Sequence, residues 1–205
     1  MSKKIEAFKI FLNHIAAGDD ERTEKAAVAL GRLSNEALSP LRDLMGEADP
    51  DRRWWATRAL AAVGTSAAQE LLVAALADPD PAVRACAAHG IHSAEGEETA
   101  EERDRSHEIV TQLVRCLDDP SPLVSRIAAD SLARFGPPAV PALVAALQEG
   151  EVATRAGAAR ALCAIQSEDA IPALCAALDD PSAIVTYYAE EALERMGVGI
   201  VLLRP

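Results

Sequence analysis

Cys86, His89 and His92 stand three residues apart, and His107 follows after a strongly acidic stretch. On a helix this spacing gathers a thiol and two imidazoles toward one side, and such donors can share zinc or another transition metal. Cys86 and His92 are nearly two turns apart, however, a long reach for one ion. Neither Cys-x-x-Cys nor His-Glu-x-x-His accompanies them. The pattern predicts no metal site and gives the histidines surface roles. No Ser-His-Asp set, phosphate-cradling glycine loop or pair of catalytic carboxylates can be placed either, so no catalytic residue and no cofactor is expected. Cys86, Cys116, Cys163 and Cys175 lack any paired short spacing. They read as reduced, small core residues of a cytoplasmic protein.

The residues that remain for recognition are placed by the elements around them. The chain has 205 residues and is 50% apolar, yet only 3% aromatic. Alanine occurs 43 times. A core of Ala and Leu suits closely packed helices and fits a β-sandwich poorly. The last large apolar residues of the Ala-rich segments are Leu30, Leu60, Ile91, Leu132, Leu162 and Leu193, spaced 30, 31, 41, 30 and 31 residues apart. Four residues before each stands an alanine (Ala26, Ala56, Ala87, Ala128, Ala158, Ala189), and eight before three of them stands a valine (Val83, Val124, Val185). These offsets share one helical face. Asp80-Pro81 and Ser121-Pro122 mark helix starts, with Ser182 in the same capping position, and Gly64, Gly136 and Gly197 mark the ends.

A second helix follows in each unit, ending at Met45, Leu76, Leu117, Leu147 and Leu178, with Leu41, Leu72, Leu113, Leu143 and Leu174 one turn earlier. A hairpin of about 30 residues cannot bury its own apolar stripe, and stacked neighbours do so instead. The expected fold is therefore all-α: a right-handed α-solenoid of five to six antiparallel helical hairpins, as one domain over 1–205. Residues 1–17 form an N-terminal half-repeat helix with Ile5, Phe8, Leu12 and Ile15 on one face and Phe11 beside them. Residues 198–205 form a truncated, apolar C-terminal half-repeat, which raises self-association as a possibility.

The segments Asp-Pro-Asp-Pro-Ala-Val-Arg-Ala-Cys-Ala-Ala (78–88) and Ala-Val-Pro-Ala-Leu-Val-Ala-Ala-Leu (139–147) resemble the two helices of HEAT-like repeats, most closely the short bacterial variety associated with phycobilin lyases. The resemblance implies that first helices form a convex surface and second helices line a concave groove. The arginine of the family's Val-Arg step stands at Arg84 and is matched by Arg53 and Arg155, while Thr23, Ser125 and Thr186 replace it elsewhere. Deoxyhypusine hydroxylases, which share the architecture, bind iron through recurrent His-Glu dipeptides, and only His107-Glu108 occurs here. HEAT-like DNA glycosylases need a basic face with aromatics, which Trp54-Trp55 beside Arg52-Arg53 echoes. The net charge of −12 opposes nucleic acid as a partner. No residue matches a chromophore-handling motif of the lyases.

Departures from the repeat mark the candidate contacts. The 41-residue spacing contains an insert, 93–106. Residues 93–108 carry seven acids, among them Glu97, Glu98, Glu101 and Glu102, against two arginines. It is either a solvated loop with a frayed helical extension or a docking element for a basic partner. Trp54-Trp55 and Tyr187-Tyr188 occupy equivalent repeat positions. Adjacent helix residues diverge by about 100°, so one ring of each pair should pack inward, and the other is either flat on the surface or a contact hot spot. On the second helices the outward positions read Pro40 and Asp43, Leu71 and Ala74, Gln112 and Arg115, Ala142 and Ala145, Ala173 and Ala176. No apolar run reaches the length needed to cross a bilayer. The function expected is a non-enzymatic scaffold or adaptor binding another protein through the concave face and edges, with Trp54, Trp55, Arg115, Tyr187 and Tyr188 as anchors. The alternative is a phycobilin lyase-like or lyase-associated chromophore-handling protein.

Overall fold

The computed structural model describes residues 3–92 and 99–198, and among them there is no strand. The chain divides into two compact units, Met1–Ile91 and His92–Pro205. The division falls just before the insert that breaks the repeat spacing. Glu97 and Glu98 lie outside the described residues, as do residues 199–205 of the apolar C-terminal end.

The first unit contains α1 (Lys3–Ala17), α2 (Asp20–Gly31), α3 (Leu38–Met45), α4 (Pro50–Val63), α5 (Ser66–Ala75) and α6 (Pro81–Gly90). The first helices of successive hairpins pack side by side, α2 on α4 and α4 on α6, while α3 and α5 cover α4. Leu30, Leu60 and Ile91 are fully buried along this stack, with Ala56, Ala87 and Val83 beneath them. Alanine and glycine let these helices approach closely. A Cβ on Gly31 would land on the carbonyl oxygen of Ala62, and one on Gly90 would stand 2.6 Å from the Ala61 methyl. Helix starts are fixed by carboxylates. Asp49 accepts the Asp51 N–H at 3.0 Å and Asp80 accepts the Ala82 N–H at 2.7 Å, each ahead of a proline whose missing donor costs nothing there.

The second unit contains α7 (Ala100–Arg115), α8 (Pro122–Phe135), α9 (Val140–Glu149), α10 (Val152–Ile165), α11 (Ile171–Ala176) and α12 (Ala183–Arg195). Here α8, α10 and α12 are the stacked first helices, and α7, α9 and α11 the second ones. Leu132, Leu162 and Leu193 are fully buried, as are Leu113, Leu143 and Leu174 opposite them. Each such leucine stabilises its hairpin by about 1.5–3 kcal/mol relative to an exposed one.

An arginine clip closes one junction between hairpins in each unit. Arg53 on α4 donates through Nε and Nη2 to both oxygens of Asp78, at 2.8 and 3.0 Å, and Arg155 on α10 does the same to Asp180, at 2.7 and 3.1 Å. The two aspartates stand 25 residues after their arginines, in the loops that lead into the next first helix. Each also accepts a backbone N–H two residues on, from Asp80 and from Ser182, both at 2.8 Å. The Arg155 hydrogen bond holds the Asp180 carboxyl below the usual carboxylate range against a smaller effect of burial. For Asp78, burial pushes upward most strongly, but the Arg53 and Asp80 hydrogen bonds together outweigh it and the net shift is downward. Where threonine or serine replaces the arginine, the hydroxyl turns back on its own helix: Thr23 Oγ1 donates to the Asp19 carbonyl at 2.7 Å.

Local details differ from the sequence reading. Ser121 and Ser182 occupy N-cap positions, but neither side chain caps; the Asp119 and Asp180 carboxylates accept their backbone N–H groups instead. In α2 the buried alanine is Ala27, with Ala26 half-buried, and in α3 Leu44 replaces Met45 in the core. On α1, Phe11 is the fully buried residue, while Ile5, expected in the stripe, is 48% exposed. Phe11 is the residue of this helix that is buried in the core, with Phe8 beside it half-buried. Gly64, Gly136 and Gly197 all take positive φ as expected, and Gln166 takes the same place after α10 with φ of 57°.

Candidate functional site

Three first helices of the second unit present one register to solvent. On α12, Ile184, Tyr187, Tyr188, Glu191 and Arg195 follow offsets of three, four, seven and eleven and so share a face. The same offsets on α8 give Leu123, Arg126, Ile127, Asp130 and Arg134. On α10, between them, they give Ala153, Ala156, Gly157, Arg160 and Ala164. The middle helix is nearly bare, and two adjoining hollows result. One, of about 250 Å³, is lined by Arg126, Ala153, Ala156, Gly157 and Tyr188 among others; the second, of about 260 Å³, by Asp130, Arg160, Cys163, Tyr187 and Glu191 among others. Ala129, Arg160 and Tyr188 line both. Gly157 packs closely there: a Cβ would stand 2.9 Å from Leu117 Cδ2, so that side chain would have to shift.

Charges across this face are matched. Arg160 Nη2 donates to Asp130 Oδ1 at 2.6 Å, tying α10 to α8, and Arg195 lies 3.9 Å from Glu191 and 3.6 Å from Cys163 Sγ. Tyr187 is 54% exposed and Tyr188 half-buried. Their rings meet edge-on with centroids 5.3 Å apart. A hydrogen bond to Glu191, then that carboxylate's charge, holds the Tyr187 hydroxyl above its ordinary value. The exposed ring thus stands beside a hollow with its neighbour's ring edge-on to it. Such an arrangement offers shape and aromatic contact.

The second aromatic pair belongs to the first unit. Trp54 and Trp55 on α4 are both half-buried, with ring centroids 4.8 Å apart at 88°. Adjacent helix positions predict one inward and one outward ring, but the edge-to-face contact lets the two share burial instead. The arginines before them are engaged, Arg52 with Glu47 at 2.7 Å and Arg53 with Asp78, so Trp54-Trp55 have no free basic patch beside them. Arg115 is exposed at the end of α7 and reaches Gln112 Oε1 at 3.3 Å. The structure thus sets the candidate anchors on different helices and in both units, and it joins Tyr187 and Tyr188 at one hollow.

The part of the insert that is described is helical. Thr99 Oγ1 accepts the Glu102 N–H at 3.2 Å, and the Thr99 N–H donates to Glu102 Oε2 at 2.8 Å, a capping box that starts α7 cleanly. The hydrogen bond from the Thr99 backbone lowers the Glu102 carboxyl. Glu102 is a helix cap, therefore, while Glu101 is exposed. On the second helices, Asp43, Ala74, Arg115, Ala145 and Ala176 face solvent as expected, but Ala173 is buried. A hollow of about 430 Å³ lies beside Ala176, with the Arg155–Asp180 clip in its wall. Burial pushes the Cys86 thiol up to about 12, and His89 and His92 are exposed. Among the described residues no three His, Cys, Asp or Glu side chains gather as a metal site.

The description "HEAT repeats" matches residues 8–100 and 110–194. Among solved structures, the chain is similar to the complex of CpcE and CpcF of phycocyanin lyase from Nostoc sp. PCC7120, at 23% identity and a TM-score of 0.60, over 80% of this chain and 99% of that one. It is also similar to an engineered protein at 22% identity and a TM-score of 0.51, over 96% and 97% of the two chains. No curated protein sequence matches it. With both units built of all-α hairpins and the match running through nearly every one of them, the chain belongs to the HEAT-repeat family.

Proposed function

We propose that this protein is a non-enzymatic interaction scaffold that binds another protein, with the first-helix face of its second unit as the principal contact. The observation that carries this is Tyr187, an aromatic ring 54% exposed that packs edge-on against Tyr188 at the rim of a hollow. Tyrosine in such a pose gives large contact area with little ordering cost on binding. The small-residue surface around Ala145 and Ala176 offers a second face where a partner's backbone can come close. Trp54, Trp55, Arg115 and Glu101 are secondary contacts, Glu101 steering a basic partner. Four free cysteines support a reducing compartment, the cytoplasm, and no described helix is long and apolar enough to cross a membrane.

The test is to isolate a partner with the tagged chain and then measure its affinity for purified wild type and Tyr187→Ala. Affinity should fall about 30-fold, as expected for a hot spot of about 2 kcal/mol, with the thermal midpoint unchanged. Equal affinity would remove this face from the account. Added bilin should give no red-shifted, protein-dependent absorbance; its appearance would favour the chromophore-handling reading.

A further inference from the structure

We infer that the N-terminal edge of the first helices in the second unit is a docking strip for a basic, extended segment of a partner protein with an apolar residue at every third position. The inference rests on the scaffold reading and names the chemistry of what is bound. Large apolar side chains stand exposed in the first turn of all three helices: Leu123 on α8, 46% exposed, Val152 on α10, 49%, and Ile184 on α12, 47%. Leu123 and Ile184 hold the same repeat position, and Val152 stands one residue earlier. The first unit has Glu21, Asp51 and Ala82 at that position, so the fold does not demand an apolar residue there. A leucine, a valine and an isoleucine left half in water on consecutive helices form a row rather than a scatter.

Charge selects the occupant. Each of these turns follows a loop with exposed acids: Asp118 before α8, Glu149 and Glu151 before α10, Asp179 before α12. The second unit carries nineteen acids against nine arginines and no lysine, a net −10, while the first unit is only −2. An apolar row flanked by carboxylates complements lysine or arginine interleaved with apolar residues, and it repels nucleic acid and anionic lipid. Spacing selects its conformation. Packed helices stand about 8–10 Å apart, and a polyproline-type segment brings every third residue to one face at about 9.3 Å intervals. About seven residues would span the three anchors, with apolar side chains seated on the row and basic ones over the acids.

The probe is a fluorescein-labelled peptide with leucine at every third position and arginine and proline between, measured by anisotropy against the full chain. Its leucine-to-serine and arginine-to-glutamate versions serve as controls. Binding should weaken about tenfold when Leu123, Val152 and Ile184 are replaced together by serine, since half-exposed side chains can be changed without opening the core. It should weaken similarly for Glu149→Lys with Glu151→Lys and fall with added salt. Unchanged affinity in either variant, or equal binding of the arginine-to-glutamate peptide, would overturn the inference. The isolated partner separates the two readings. Loss with Tyr187→Ala but not with the serine triple leaves the scaffold standing and removes the strip; loss with neither removes the strip and, with it, the first-helix face as the principal contact.

Discussion

Asp180 shows what one residue does in this array. Its carboxylate joins Arg155 side-on and receives the Ser182 N–H, so it fixes both the junction between hairpins and the start of α12. Its folded pKa lies below its unfolded value, so the clip's contribution is complete above the unfolded value, about 3.9. It is lost as pH falls through the lower folded value. Asp180→Asn should therefore lower the urea midpoint at neutral pH, and the gap from wild type should close below about pH 4. A gap that stays constant with pH would show that the charge plays no part. The sequence made Arg53 and Arg155 legible as recurrent, but not their partners: a spacing of 25 residues has no local periodicity, and only the return of the chain brings Asp78 and Asp180 to them. Likewise, Trp54 and Trp55 could not be read as a mutually packed pair, because adjacent positions on a helix point apart until large rings lean together.

At the scale of the element, helix starts and stops were largely legible because their chemistry is local: Asp80-Pro81 at a start, Gly64 at a stop. Ser121 and Ser182 stand at the N-cap positions the sequence marks, but their side chains make no cap hydrogen bond, and the aspartates two residues upstream hold their backbone N–H groups. After α10 the left-handed position held by Gly64 and Gly197 in other hairpins is filled by Gln166, at φ 57° and ψ 42°. A side chain there costs about 1–2 kcal/mol, offset in part by the unfolded-state entropy of glycine. Gln166→Gly should thus raise stability by about 0.5–1 kcal/mol in urea unfolding. Gly31→Val should have the opposite sign, a loss of about 1–3 kcal/mol or more, because its Cβ meets the backbone of Ala62, which cannot step aside.

At the scale of the molecule, the class of fold followed from the recurrence of Leu30, Leu60, Ile91, Leu132, Leu162 and Leu193, every one of them buried. The candidate site was less legible. Tyr187 and Tyr188 stood out by type, but the hollow beside them exists because α10 lacks side chains at Ala153, Ala156 and Gly157, and an absence on a neighbouring helix gives no signal near the tyrosines. The charge of the two units is uneven as well, −2 in the first and −10 in the second. The most direct measurement puts a photo-crosslinking amino acid at position 187 and, separately, at the exposed control position 28 on α2, then irradiates each with the isolated partner. A covalent adduct at 187 and none at 28 is the result expected; adducts at neither, or at 28 alone, would contradict a binding face on the first helices of the second unit.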